Sequence, residues 1–488
     1  MWITFILFNI ICLIIILKSV LSYLLNIRKL PRGPIPIPFY GNKTPKDVHP
    51  GLCQWYSDLR DMYGDIFTVY HGSKPTIVVN GFDTVNELLI NNGSIVHTRP
   101  ESGVLSFLHD GAGLVWNNSS YKTIRKISSI AMKSSIHSSE SDINEKLREV
   151  LKGFEGCVID LSNPLKDLVS DNICQLIFGE ENKEKFGKIM ELHFGSLQLL
   201  GVNKVDSIIR LPFLKYLPGF SSNWKESIEY KNKFKGYMGE ILQEQTRQFT
   251  SDKICENFFD TFIRHRQTQK TNQLGVEDCF ATVMQLMLAG MDAVHGSLMW
   301  LFLYITIDTS VQQKMIEEII SEIGLETRPR QKHMSSLPYC MAVIYETLRI
   351  SNVAFTSLPY TNQETVTIKE TTIPANSSII VNLVSINKDP VTFPEPEKFL
   401  PDRFVDKDGN LQNITQFAPF SIGRRACLGE AFSKAGIFTA MVTVLQKYEL
   451  CSVEGEAYET KPMMGFLSTP PPYKLLLKSR TSSTTSQE

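Results

Sequence analysis

The stretch Phe420-Ser421-Ile422-Gly423-Arg424-Arg425-Ala426-Cys427-Leu428-Gly429-Glu430 constrains this chain more than any other, and its centre is Cys427. It follows the loop-like Gln416-Phe417-Ala418-Pro419 and precedes a segment in which Ala431, Ala435, Phe438, Met441, Val442 and Leu445 share one face at helical spacing. The sulfur therefore stands at a helix entrance. There the positive end of the peptide dipoles and several backbone N–H groups favour the thiolate, which is the metal-binding form. Gly423 supplies a backbone angle that a side chain forbids, and Gly429 removes bulk where the helix meets something flat. Arg425 offers a planar fork for a carboxylate, and Phe420 is placed to shield the sulfur from water. A buried structural cysteine is the commoner fate of this residue type. Phe-x-x-Gly-x-Arg-x-Cys-x-Gly, however, fixes more positions than packing alone requires.

That pattern resembles the haem-ligand signature of the cytochrome P450 family, and further motifs of the family follow in its order from about Leu30 to Lys478. The resemblance implies a mainly α fold with a smaller β region, the cytochrome P450 fold, holding haem b (iron protoporphyrin IX). Cys427 is then the axial metal ligand, within the loop shaped by Phe420, Gly423 and Gly429. Electron donation from its sulfur favours O–O cleavage. Arg425 would hold one haem propionate. Tyr121-Lys122-Thr123-Ile124-Arg125 stands where the family has Trp-x-x-x-Arg, so Arg125 is a further propionate ligand and Tyr121 keeps an aromatic donor with a different reach. Tyr360 takes the place of a propionate-binding histidine, and His97-Thr98-Arg99-Pro100 leads into the substrate-facing loop.

The long apolar pattern from Val276 to Ile305 contains the small pair Ala289-Gly290 and an acid, Asp292, that reads as buried. In the family this helix crosses the oxygen side of the haem and carries an acid-Thr pair that delivers protons. Here the hydroxyl position is Ala293. Delivery then falls to water ordered by Asp292, or to Ser297 one turn on, unless the chemistry dispenses with dioxygen cleavage. Glu346 and Arg349 lie one turn apart, and Arg403 follows Pro401-Asp402. Together they resemble the family's Glu-Arg-Arg network, with Asp402 in place of Glu. Segments 101–116, 351–358 and 463–467 are expected to line an apolar pocket, and monooxygenation of a lipophilic small molecule is the expected reaction. Two other readings stand beside it: a haem-thiolate isomerase or dehydratase acting on peroxides without external electrons, and a non-enzymatic haem or lipid carrier.

The first 27 residues are nearly all apolar, and Arg28, Lys29 and Arg32 follow. Length and flanking charge predict an N-terminal transmembrane anchor over 1–27 with the body on the cytosolic face of the endoplasmic reticulum membrane. A proline-rich basic hinge over 28–40, a haem-binding catalytic domain over 41–480 and a disordered tail over 481–488 complete the expected organisation. Residues Leu197 to Phe220 mix apolar, proline and basic positions and suit a second contact with membrane lipid as well as a core helix pair. The nine cysteines include no Cys-x-x-Cys pair and fit a reducing compartment. A net charge of -1 gives no reason to expect nucleic acid. No dinucleotide fingerprint occurs, since Gly111-Ala112-Gly113 lacks its third glycine. Electrons are thus expected from an NADPH-dependent flavoprotein reductase, with cytochrome b5 as a second donor. Lys122, Lys126, Arg424, Lys434 and Lys447 would form the basic face that receives it.

Overall fold

The computed structural model describes residues 28–37, 40–43, 51–72, 74–100, 106–107, 109–179, 185–192, 208, 212–268, 274–464 and 467–480. The expected anchor over 1–27, the tail over 481–488 and most of the 197–220 segment lie outside them. The described chain is mainly helical with smaller sheets, and it divides into two compact units.

The first unit comprises the described residues of Met1–Pro100, Ala354–Pro394 and Gln416–Ala426. Its centre is a five-stranded sheet in the order Ile66–His71, Lys74–Val79, Ser378–Val381, Tyr360–Asn362, Val96–Thr98. The first two strands form the hairpin that their β-branched runs predict, with Ile66 opposite Val79. Ser378–Val381 then joins parallel to the second strand, and the remaining pairs are antiparallel. Helix α1 (Gly51–Tyr63) buries Tyr56 and Leu59 against Phe67, Val69 and Val78 on one face. On the other face Val79, Leu88, Leu89, Tyr360, Ile379 and Ala418 form a second core. The segment expected to form a short helix from Gly81 to Asn91 is an α turn, Phe82–Asn86, that widens into a π turn, Glu87–Asn91.

The second unit comprises Glu101–Val353, Glu395–Thr415 and Cys427–Glu488. Its helices are α2 (Tyr121–Lys152), α3 (Ser162–Phe178), α4 (Ser221–Gln248), α5 (Phe258–Thr268), α6 (Val276–Ile307), α7 (Thr309–Glu322), α8 (Pro338–Ser351) and α9 (Glu430–Lys447). Helix α6 is long and apolar enough to cross a membrane, but most of it is buried in protein, which makes it a core helix. It packs on α3, α4, α8 and α9, while α9 also packs on α2. Local chemistry sets the helix limits. Asp278 accepts the Gly275 N–H at the start of α6, and Asp308 ends it by accepting the Ser310 and Val311 N–H groups that open α7. Pro338 occupies the first turn of α8, where no N–H is needed, and Glu318 accepts the next two N–H groups, from Tyr339 and Cys340. Asn352, in the left-handed conformation, stops that helix.

Candidate active site

The loop before Cys427 is shaped inside the first unit. Asn387 Oδ1 accepts the Ala418 N–H at 3.1 Å, and the Ser421 and Ala426 N–H groups close turns on the Ala418 and Gly423 carbonyls. Ser421 and Gly423 both have positive φ, 61° and 85°. At Gly423 a Cβ would stand 2.7 Å from the Leu89 carbonyl oxygen, so both conformation and space demand glycine. Arg425 is buried and donates Nε to the His97 carbonyl at 2.8 Å. Arg99 is buried too, donates to the Leu358 and Pro359 carbonyls at 2.7 and 3.0 Å, and lies over the Tyr360 ring. The carbonyls fix the direction of both buried guanidiniums. Arg99, read from sequence only as part of a loop, is the group that residue-by-residue reading missed. Tyr360, by contrast, is a core residue whose ring carries Arg99. Phe420 is half-buried.

Cys427 begins the next piece of the second unit, two residues before the Gly429 N-cap of α9. Solvent reaches its side chain, yet protein surrounds the sulfur closely enough that burial, the largest influence, raises the thiol above its ordinary value. The Gly429 N–H bonded to the sulfur, the Arg125 charge and the Glu430 N–H pull the other way, and the Glu430 carboxylate adds to the rise. The helix entrance alone was expected to favour the thiolate. Burial outweighs it; a metal cation bound to the sulfur would reverse this, because a coordinated thiol is deprotonated outright. A Cβ at Gly429 would lie 3.6 Å from Ser433 Oγ and 3.8 Å from Cys427 Sγ, ordinary contacts, so protein packing does not itself require glycine there. Arg125 is half-buried on the first turns of α2, and Tyr121, also half-buried, is the first residue of that helix.

Helix α6 has an opening in its otherwise buried length. Ala289 and Asp292 are exposed, and Leu288, Gly290 and Ala293 are half-buried. Asp292 is therefore not the buried acid its apolar neighbours suggested, because the small side chains around it leave a notch. Surrounding protein still raises its carboxyl, opposed by His295 and Lys166. His295 bonds the Ser162 carbonyl at 3.0 Å. At Gly290 a Cβ would meet Ile173 Cδ1 at 2.6 Å, so this glycine allows α3 to approach. Ser297 is buried and donates to the Ala293 carbonyl at 2.7 Å, so its proton is already engaged within the helix.

Glu346 and Arg349 are fully buried on α8. Arg349 Nε and Nη2 bind the two Glu346 oxygens at 2.7 and 2.9 Å, Arg403 Nε reaches Oε1 at 3.2 Å, and the Leu400 N–H reaches it at 2.8 Å. The carboxylate thus ties α8 to the Glu395–Phe404 stretch. Of the expected basic face, Lys122 and Lys126 are exposed on α2, and Arg424 is exposed on its own unit. Lys434 instead binds Glu430 at 2.7 Å and covers the Tyr345 ring, and Lys447 pairs with Glu326 at 2.8 Å.

The 106–118 loop is held from two sides. Gln285 of α6 accepts the Leu114 and Val115 N–H groups and donates to the Ala112 carbonyl at 2.9 Å, while Asn118 donates to Asp278 at 2.6 Å. Helix α4 supplies an ionic clasp. Lys231 binds Asp110 and the Phe107 carbonyl, and Lys235 lies 3.7 Å from Asp110 and 2.9 Å from Glu277.

Glu346→Ala takes the carboxylate away from the buried Arg349 and the half-buried Arg403, and thermal unfolding should report a loss of about 3–5 kcal/mol. Gly423→Ala should lose about 1–3 kcal/mol by the same measurement, from strain at positive φ and contact with Leu89. Asp110→Asn should speed amide exchange in 109–116 without changing exchange in α9, and high salt should reproduce this in the unmodified protein.

The site has a donor set suited to a metal that brings most of its own ligands. Among the described residues no three His, Cys, Asp or Glu side chains converge on a metal, whereas one accessible sulfur stands at a helix entrance of the second unit. That fits haem. The family model for cytochrome P450 matches residues 31–477. Cytochrome P450 2C70 of Rattus norvegicus is 30% identical over 92% of this chain and 94% of its own. Cytochrome P450 2B19 of Mus musculus is 29% identical over the same shares, and cytochrome P450 2B4 of Oryctolagus cuniculus is 28% identical over 93% and 94%. The chain belongs to the cytochrome P450 family, whose members are monooxygenases built on a cysteine-ligated haem.

Proposed function

We propose that Cys427 is the axial ligand of haem b and that the enzyme inserts one atom of O2 into a lipophilic substrate, the other leaving as water. NADPH supplies the two electrons through a membrane flavoprotein reductase. The observation that carries this reading is the Cys427 sulfur, accessible at the entrance of α9 with the Gly429 and Glu430 N–H groups bonded to it. Bound haem supplies the electron-transfer and dioxygen chemistry, tuned by its thiolate ligand. The chain's own residues do the rest. Gly423 and Ser421 fix the loop that aims the sulfur, and Arg125, Arg425 and Arg99 hold carboxylates, with Tyr121 as a further donor. Glu346, Arg349 and Arg403 lock the stretch that leads toward the loop. The notch in α6 leaves room beside Ala289 and Ala293 for a flat group and a substrate. Asp292, its carboxyl raised by the surrounding protein, is the group placed to hand on protons there, because Ser297 is engaged with the Ala293 carbonyl.

Lys122, Lys126 and Arg424 are the cations left to meet an acidic electron donor, and cytochrome b5 suits the same charges. The apolar first 27 residues anchor the enzyme in the endoplasmic reticulum membrane, with the 28–40 hinge, the body over 41–480 and the 481–488 tail on the cytosolic side. Exposed Phe213, Tyr216 and Leu217 suit a second contact with lipid.

Ala293 and the engaged Ser297 hydroxyl also favour a second reading, rearrangement or dehydration of a lipid peroxide without external electrons. Reconstitution with reductase, NADPH and a lipid extract separates the two. A product heavier by one oxygen is expected, whereas turnover of added hydroperoxide in the absence of NADPH would select the second reading. Cys427→Ala should abolish the red-shifted ferrous carbonyl band, and a variant that kept the band would exclude Cys427 as the ligand.

A further inference from the structure

Helix α2 and the Arg328–Arg330 stretch line a cleft of about 330 Å³, all of it within the second unit. His137, Glu140, Ser141 and Asn144 line it at helical spacing from one side, and Arg328 and Arg330 line it from the other. Its floor holds an unusual group. Glu140 is 2% exposed, and one of its carboxylate oxygens, Oε1, accepts the Gln331 N–H. The other, Oε2, is buried without a hydrogen bond, and His137 Nδ1 lies 3.7 Å from it; burial raises the Glu140 carboxyl, and the Gln331 N–H and the neighbouring His137 and Arg330 oppose the rise. A buried carboxylate oxygen with no donor is costly to keep unless something else binds it.

The neighbouring groups narrow what that partner is. Asn144 is saturated: its Nδ2 donates to the Glu140 and Pro329 carbonyls at 2.7 and 3.1 Å, and its Oδ1 accepts from Thr443 at 2.7 Å. It therefore stiffens the floor and offers nothing to a ligand. Arg328 is partly engaged, with Glu145 at 3.0 Å, whereas Arg330 is exposed and no ion pair holds it among the described residues. A simple anion at the mouth would be repelled by Glu140, and a simple cation by two guanidiniums. A compact ligand with both charges satisfies both walls. The volume matches the small end of ligand pockets, about 300 Å³ upward.

We propose that this cleft binds a small zwitterion, its ammonium on Glu140 Oε2 and its phosphate or carboxylate on Arg330 and Arg328. The chemistry is shared by a free amino phosphate such as O-phosphoethanolamine and by the headgroup of an ethanolamine phospholipid. The site stands apart from Cys427 in sequence and chemistry, so its occupancy is measured independently of turnover.

Calorimetric titration of the full-chain holoenzyme at low salt tests it. The probes are O-phosphoethanolamine, short-chain phosphatidylethanolamine below its micellar concentration, and the matching phosphatidylcholine, whose trimethylammonium has no N–H to give. Saturable binding of an ethanolamine probe is expected, at least tenfold weaker for the choline lipid and at least tenfold weaker in Arg330→Gln. Glu140→Gln keeps an acceptor for Gln331 and should weaken binding similarly. Equal affinity for the soluble and lipid ethanolamine probes would assign a free metabolite, and tighter lipid binding would assign a headgroup. No saturable heat from either ethanolamine probe at millimolar concentration, or binding unchanged in Arg330→Gln, would overturn the proposal. Arg330 is an exposed loop residue, so that variant folds even if Glu140→Gln does not.

Discussion

One carboxylate, Glu346, holds together parts of the second unit that have no other strong reason to meet. Helix α8 could pack in several registers against its neighbours by apolar contact alone. With Glu346 and Arg349 at zero exposure, only the arrangement that also brings Arg403 and the Leu400 N–H to the same oxygens leaves no charge stranded. A buried ion pair contributes little net stability compared with apolar packing of the same shape, but it penalises every wrong arrangement heavily. Its value here is specificity. It fixes the Glu395–Phe404 stretch, and Tyr304 of α6 stacks on Phe399 within that stretch at 4.6 Å, so the network also registers α8 against the central helix.

The sulfur at the entrance of α9 is held on different terms. Backbone geometry sets its approach: a left-handed Ser421, a Gly423 pressed against Leu89, and turn hydrogen bonds closed on Ala418 and Gly423. None of these groups stabilises a thiolate. Burial works against the anion, and the Gly429 and Glu430 N–H groups answer only part of that penalty. A site that holds a thiol ready but does not ionise it by itself suits a ligand whose charge is completed by the metal it binds.

What the sequence revealed, and what it hid, divides along the same line. Motifs whose residue types are dictated by local chemistry were legible: the Cys427 stretch, the Glu346 to Arg349 spacing, the Ile66–Val79 hairpin and the long α6. Features decided by what lies across from a residue were not. Asp292 looked buried because its neighbours are apolar, but small side chains beside it open a notch, and exposure depends on that third dimension. Nothing beside Gly290 in the sequence says that its missing side chain is space for Ile173. Lys434 looked like part of a basic face, and its ammonium turns back to Glu430 at helical spacing. Arg99 was passed over because nothing in its immediate sequence announces that the Leu358 and Pro359 carbonyls, more than 250 residues on, would hold it.

The departure at Ala293 gains meaning from the same neighbourhood. A threonine there would place a hydroxyl at the notch, free to pass a proton between water and substrate. The remaining hydroxyl, on Ser297, is bonded to the carbonyl of the very residue that replaces it, and a hydroxyl that donates back into its own helix is a poor shuttle. Asp292 and His295 are then the titratable groups on this side of the helix, with their ordinary affinities shifted toward each other by burial: the acid raised, the imidazole lowered. Groups whose proton affinities converge exchange protons most readily. On the function proposed above, the part an alcohol would play falls to the Asp292 carboxylate, which the notch opens to solvent.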